Sequence, residues 1–556
     1  MTKYRSGGQI LVDALRQHGT THIFCVPGES YLPVLDALID EQTISTVVCR
    51  HEGGAAMMAD AYGKLTHRPG ICFVTRGPGA ANAVAGLHIA AQDSTPMILF
   101  VGQVPTNFIG REAFQEVDFK SMFDLLAKRV ERVTDVKRIP EILSRAFHTA
   151  NNGRAGPVVV ELPEDVLRAQ GVVDQVKPFV RVEASPGIEE MERFCHLLKN
   201  AKKPVVIVGG RGWSPRSRTI FQNFISAWNL PVAAAFRYQD VYDNTSRQYI
   251  GDVGIGINPK LKEAIISSDL LIAVCIRLGE ITTSNYRIIN APTPCHPLVH
   301  IYPSIEELGS VYSADLYVNA GPNRFAEALE KLRPPVRYAW SSWSKELHDN
   351  YLSWTRPSKQ TSRIHLGEIV KSLEKELGSK AVITNGAGNY TTWLHRYYRY
   401  SLPGSQLAPT SGSMGYGLPA AIVAKLLHPQ CVSIALAGDG CFLMTSQELA
   451  TAVKYDLSVT IIVVNNEMYG TIRMHQEINY PERISGTDLV NPDFCQLARA
   501  YGAYAERIDT TNQFLPALRR AIKFSGPSLI EIITDKEHIT SSQTLSSIQS
   551  NIRKPD

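Results

Sequence analysis

Closely paired cysteines are missing from this sequence. Its nine cysteines include no Cys-x-x-Cys and no zinc-like spacing, so neither a dithiol redox centre nor a structural zinc site is expected. They are read as small core residues of a reducing compartment. Long hydrophobic runs are missing too, since no stretch approaches the ~18 charge-free residues of a membrane helix. The opening MTKYRSGGQILVDALRQHGTTHIF has no signal-peptide core. Charge of one sign is scarce: the formal net charge is +4 over 556 residues, which gives no field for nucleic acid or an anionic membrane. These absences point to a cytoplasmic protein.

What is present is a composition of 44% hydrophobic and 20% charged residues, that of an ordinary soluble globular protein. Short apolar runs alternate with helical ones. THIFCVPG, TISTVVCR, GICFVTRGPG and PMILFVGQ read as strands, separated by helices such as HEGGAAMMADAYGKL. Continuous apolar strands alternating with helices predict parallel sheets covered on both faces. A second unit carries KKPVVIVGGRG, NLPVAAAF and SDLLIAVCIRLG, and a third carries KAVITNGAG, CVSIALAGDG, SVTIIVVNN and PSLIEIITD. The fold class is therefore α/β, with three doubly wound parallel-sheet domains at 1–170, 188–335 and 362–540 and a polar C-terminal tail at 541–556.

The stretch from Gly438 to Asn466 carries the chemistry. GDG is followed by 24 residues and then by two asparagines, and each motif ends a strand. Ligands of open parallel sheets bind beyond the carboxyl ends of strands, so Asp439 and Asn466 are expected to meet. A carboxylate and an amide oxygen are hard ligands suited to Mg²⁺, which completes its shell with phosphate oxygens and water. Gly440 and Cys441 can turn backbone N–H groups toward a phosphate, and a glycine leaves room for the approach.

This pattern resembles the cofactor signature of thiamine diphosphate enzymes. Nearly the whole chain is similar to their acetolactate synthase-like branch. The resemblance implies Asp439, Asn466 and the Met468 carbonyl as ligands of Mg²⁺, and names the three domains pyrimidine-binding, middle Rossmann-like and diphosphate-binding. It assigns Gly438, Gly440, Cys441, Asn389 and Tyr469 to the diphosphate side. Asn82, in the Gly-Pro-Gly segment, lies near the pyrimidine, as do the Gly412 carbonyl and Met414, an apolar wedge under the bent cofactor. Glu52 is the implied activating carboxylate, favouring the imino tautomer that takes the C2 proton. In that family it comes from the partner subunit, so a homodimer or homotetramer is implied. Gln115 is implied beside the reacting carbon. Gly28, Arg76, Lys128, Thr471, Ile472 and His475 are candidate substrate-pocket residues, and His88 is read as a packing residue.

The sequence departs from acetolactate synthases at several points. Arg76 stands where they commonly have Ser, Ala387 and Gly388 where they have Gln and His, and His475 where a Trp shapes the acceptor site. Arg277 matches an FAD-contacting residue, but the acidic residue usual after the later strand is absent from HIYPS. Thiamine diphosphate and Mg²⁺ are thus the expected cofactors, with FAD expected less than its absence. The absence of a His-His pair counts against simple pyruvate-type decarboxylases. The expected reaction is decarboxylation of a 2-oxo acid and carboligation of the enamine to a second carbonyl. The alternatives are a 2-hydroxyacyl-CoA lyase, a non-acetolactate 2-oxo acid decarboxylase, or a non-catalytic cofactor-binding regulatory subunit.

Overall fold

The computed structural model of the chain describes residues 4–357 and 362–552. In chain order, β1 (Arg5–Ser6) precedes a first sheet made of β2 (His22–Cys25), β3 (Ser45–Val48), β4 (Gly70–Val74), β5 (Met97–Gln103), β6 (Arg129–Arg132) and β7 (Pro157–Pro163). β8 (Gln170–Gly171) then returns to pair antiparallel with β1. The second sheet holds β9 (Pro204–Val208), β10 (Val232–Ala234), β11 (Tyr249–Asp252), β12 (Leu270–Val274), β13 (Leu298–Tyr302) and β14 (Leu316–Asn319). The third holds β15 (Ala381–Asn385), β16 (Gln406–Leu407), β17 (Val432–Gly438), β18 (Val459–Asn465), β19 (Tyr504–Ile508) and β20 (Ser528–Ile533).

All three six-stranded sheets are parallel. The first runs β3-β2-β4-β5-β7-β6 and the third β16-β15-β17-β18-β20-β19, which is the same order of strands counted within each sheet. The second runs β11-β10-β9-β12-β13-β14, the doubly wound dinucleotide-domain order.

The apolar runs explain the layers. In a strand, successive side chains point to opposite faces. Val205, Ile207, Leu271 and Ala273 pack into a core on one face of the second sheet, and Val206, Val208, Ile272 and Val274 into a core on the other. Each fully buried Val, Leu or Ile among them contributes ~1.5–3 kcal/mol. In the first sheet Phe73 stacks on Phe100 with centroids 4.5 Å apart, inside a core that includes Ile23, Ile98 and Val158.

The chain forms two compact units. The first runs to Val182 and takes in Pro409–Gln430 and Met444–Leu457; the second holds Glu183–Ala408, Cys431–Leu443 and the described residues from Ser458 on. Two segments that lie between strands of the third sheet therefore belong to the first unit. The polar tail forms a helix, Leu545–Ile552, and its last four residues lie outside the described ones. Among the described residues no helix is long and apolar enough to cross a membrane.

Candidate active site

In the first unit the strand order reverses between β2 and β4, where a ligand crevice opens beyond the strand ends. Gly28 follows β2, and a Cβ there would lie 2.5 Å from Thr75 Cβ. Glu52 follows β3 as the first residue of the helix Glu52–Thr66, where the helix dipole favours a carboxylate. Its Oε2 accepts a hydrogen bond from Asn82 Nδ2 at 3.0 Å. Asn82 lies on the helix Pro78–Asp93. These two helices approach so closely that a Cβ on Gly86 would stand 2.4 Å from Ala56 Cβ, which accounts for the small residues in GGAAMMADA.

Gly77 turns the chain at φ +54°. A side chain there would meet the Gln115 carbonyl at 2.8 Å, and one on Gly79 would meet Glu52 Oε1 at 3.3 Å. The first unit therefore gathers Glu52, Asn82 and Gln115 around the Gly-Pro-Gly turn. Gln115 itself sits at φ +62°, a conformation that only a fixed loop sustains in a non-glycine residue.

Arg76 and Lys128 are committed to the framework instead. Arg76 is buried and bonded to Glu164, to Glu29 at 2.9 Å and to the Phe114 carbonyl at 3.2 Å. Its charge is balanced by two carboxylates, so it does not present a free cation to a substrate. Lys128 Nζ donates to the carbonyls of Thr149 and Asn152 at 2.6 and 2.8 Å, capping the helix Ile139–Asn151.

Sequence reasoning missed what holds these residues. Glu448, fully buried, accepts the backbone N–H of His51 at 3.0 Å and of Arg50 at 3.2 Å, and the Thr451 hydroxyl at 2.6 Å. Burial pushes its carboxyl above the usual range, while these donors pull it down. Asp60, Lys64 and Asp93 form a second buried network: Lys64 Nζ bridges both carboxylates and Tyr416 donates to Asp60 at 2.6 Å. Asp93 also accepts the N–H groups of Thr410 and Ser411, each at 3.1 Å. The loop carrying Gly412, at φ +71°, and Met414 thus hangs from Asp93. The available signal was the Asp60–Lys64 spacing of four residues on a helix of small apolar residues.

In the second unit the corresponding reversal lies between β15 and β17. The Gly386–Tyr390 loop follows β15 and Asp439 follows β17. Tyr390 lies under both: its hydroxyl accepts Gly386 N–H at 3.1 Å and meets Cys441 Sγ at 3.4 Å. A Cβ on Gly438 would be 3.1 Å from the Tyr390 ring, and one on Gly440 would be 2.6 Å from the Tyr469 ring. Asn389 Oδ1 accepts the Thr471 hydroxyl at 2.9 Å. Ile472 and His475 lie on the exposed side of the helix Gly470–Asn479.

Asp439 is only 3% exposed. Its oxygens accept Gly440 N–H at 2.9 Å and Asn491 Nδ2 at 2.8 Å, both neutral donors. Burial therefore raises its carboxyl above the usual range. A carboxylate buried with no cationic partner among the described residues fits a bound cation. Of the two asparagines, Asn465 is occupied: it donates to Glu531 at 2.8 Å and accepts Glu467 N–H at 3.1 Å. Asn466 lies beside Gly470, its Nδ2 3.4 Å from where a Cβ would be. Glu467 sits at φ +51°, and Met468 is fixed by a bridge to Asp488. Asp439, Asn466 and the Met468 carbonyl can hold Mg²⁺.

The tail docks here. Ile539 and Ile548 pack on Met468, and Ser541 N–H bonds Thr392 Oγ1 at 3.0 Å. In the second sheet, Arg277 pairs with Glu307 at 3.0 Å. The acidic residue expected to be missing after HIYPS is thus supplied three residues beyond Ser304. Gly210, at φ +72°, lies so close to the loop after β12 that a Cβ would be 2.2 Å from the Cys275 carbonyl.

Comparison with known proteins covers all three sheets. Family models described as the N-terminal TPP binding domain, central domain and C-terminal TPP binding domain of thiamine pyrophosphate enzymes match residues 5–122, 191–329 and 386–532. The chain is 31% identical over 533 residues to the acetolactate synthase isozyme 2 large subunit of Escherichia coli (strain K12), covering 96% of each. It is 30% identical over 547 residues to the probable acetolactate synthase large subunit of Methanocaldococcus jannaschii, covering 95% of this chain and 92% of that one. Against the mitochondrial acetolactate synthase of Schizosaccharomyces pombe identity is 30% over 566 residues, with 96% and 84% covered.

Proposed function

The chain belongs to the thiamine diphosphate-dependent enzymes, in their acetolactate synthase-like branch, and on that premise we propose that it decarboxylates a 2-oxo acid and joins the remaining acyl fragment to a second carbonyl. Thiamine diphosphate, when bound with Mg²⁺, supplies the nucleophilic carbon and the electron sink for loss of CO₂. The observation that carries the proposal is Glu52, placed at the end of β3 and held by Asn82 at 3.0 Å. A non-catalytic cofactor-binding subunit would have no use for that carboxylate.

The residues divide the work. Asp439, Asn466 and the Met468 carbonyl would hold Mg²⁺, with Cys441 on the diphosphate side, since Gly440 N–H is already taken by Asp439 Oδ1. Glu52 holds a proton on the pyrimidine ring nitrogen, which is general acid–base catalysis through the cofactor. Gln115, fixed beside Gly77, orients the substrate. Thr471 is tied to Asn389, while Ile472 and His475 line the acceptor side, where an imidazole in place of an indole widens and polarises the pocket. The enzyme works as a homo-oligomer.

We propose that the middle domain holds no FAD. The Arg277 guanidinium is neutralised by Glu307, and the Gly210 and Cys275 loops touch at the switch point where a pyrophosphate would lie. Flavin released in equimolar amount on denaturing the purified protein would overturn this.

The function is tested by incubating the protein with Mg²⁺, thiamine diphosphate and pyruvate and following products by NMR. Acetolactate is the expected product. Acetaldehyde alone would make the enzyme a decarboxylase. No turnover of pyruvate, or of a panel of other 2-oxo acids and 2-hydroxyacyl-CoA substrates, would overturn the catalytic assignment.

A further inference from the structure

Asn491 belongs to no strand or helix, yet it touches Asp439. Its Nδ2 donates to Asp439 Oδ2 at 2.8 Å and to Asn465 Oδ1 at 3.0 Å. Both partners are oxygens, so a flipped amide would set oxygen against oxygen twice, and the orientation is fixed. Asn465 is fixed in turn, donating its own Nδ2 to Glu531 Oε1 at 2.8 Å. Arg507 Nε holds the other Glu531 oxygen at 2.7 Å. A continuous chain of hydrogen bonds therefore runs from Arg507 through Glu531, Asn465 and Asn491 to Asp439.

One atom in this chain has no use for itself. Asn491 Oδ1 is buried and has no hydrogen-bond partner among the described residues. Buried amide oxygens are normally paired, and an exception calls for an explanation. Mg²⁺ keeps several waters in its octahedral shell, and groups just outside a metal's ligands commonly orient them.

We infer that Asn491 is a positioning residue of the cation centre: its N–H groups lock the Asp439 carboxylate, and its Oδ1 accepts a hydrogen bond from a water of the Mg²⁺ shell. This rests on the proposal that Asp439 holds Mg²⁺. Neither the carboxylate nor the amide changes protonation in this role. Asn491 acts through Asp439 and is not itself a ligand.

The test is isothermal titration of the apo protein with Mg²⁺ at saturating thiamine diphosphate, for the wild type, N491A, the near-isosteric N491L and D439A, with the melting temperature of each apo form. Mg²⁺ should bind N491A and N491L roughly 10–100-fold more weakly than wild type, with apo melting temperatures little changed. D439A should lose the site. If D439A loses Mg²⁺ while N491A and N491L bind as tightly as wild type, or show only a lowered apo melting temperature, the role of Asn491 is overturned. If D439A binds Mg²⁺ like wild type, the metal assignment itself falls. N491L, which preserves volume, keeps the measurement open should N491A fail to fold.

Discussion

Glu448 Oε1 accepts the backbone N–H of His51 at 3.0 Å, one residue before Glu52. The same carboxylate takes Arg50 N–H at 3.2 Å, so it fixes the turn from β3 into the helix Glu52–Thr66. A Cβ on Gly54 would be 2.5 Å from that oxygen, which ties the glycine pair of HEGG to Glu448. Truncation to Glu448→Ala strands the buried Thr451 hydroxyl and two part-buried backbone donors, and an unpaired buried donor costs about 1–3 kcal/mol. Denaturant unfolding should show that loss. Turnover should fall by ~100-fold, the scale of an ångström-sized misplacement at a reacting centre, whereas Glu448→Gln should recover most of the stability. Unaltered kinetics in Glu448→Ala would separate Glu448 from Glu52.

Glu52→Gln keeps the shape of the side chain and its contact with Asn82 but removes the acid. Thiamine diphosphate should still bind, because Asp439 and its neighbours hold the diphosphate end. Turnover should drop by roughly 10²–10⁴-fold, the usual value of a positioned acid–base group. Cofactor affinity by fluorescence titration, measured beside steady-state rates, separates the two effects. Turnover at the wild-type rate would remove Glu52 from catalysis.

Central strands were legible because both their faces are covered. LLIAV, MILFVGQ and VTIIVVN are buried at every position, so their apolar runs are continuous. Edge strands other than TISTVVCR were not. RVER of β6 has no buried residue, and YAERI of β19 buries only Ala505 and Ile508, because an edge strand is packed on one side and its side chains read as loop. Asp439 was legible because its glycines are required by the Tyr390 and Tyr469 rings. Asn491 was invisible, since its partner Asp439 lies 52 positions away and no local pattern records a long-range amide contact. Arg76 misled for the opposite reason: its place in the Gly-Pro-Gly segment was visible, and Glu29 and Glu164, which neutralise it, were not.

A site completed by two subunits makes a sharp expectation. In a homo-oligomer whose Glu52 and Asp439 come from different copies, Glu52→Gln and Asp439→Ala are each inactive alone. Co-expressed in equal amounts, they form mixed dimers in which one site is doubly wild-type and the other doubly mutant. Random assortment then restores about a quarter of wild-type activity, half the dimers having one of two sites intact. Activity measured on the tag-purified heterodimer should be about half. Recovery of none, with the heterodimer shown to be present, would place both residues of a site in one chain.

His395 sets an acid limit on stability. It is buried against Phe236, with ring centroids 5.5 Å apart and the rings perpendicular. Burial, helped by the charge of Arg237, pushes its imidazole down to about 3 from an ordinary value of 6.5. Between those values the unfolded chain binds a proton that the folded chain refuses. Stability is therefore complete above pH 6.5 and is lost as pH falls toward 3. At pH 5 the loss from this one group is about 2 kcal/mol. His18, pushed down to about 4 by burial, adds to it in the first unit. His395→Gln removes the ionisation while keeping a polar side chain. Its stability relative to wild type should rise as pH is lowered from 7.5 to 5, measured by urea unfolding at each pH. A constant difference across that range would mean that His395 takes up its proton in the folded protein as readily as in the unfolded chain, and the acid sensitivity would then lie with other groups.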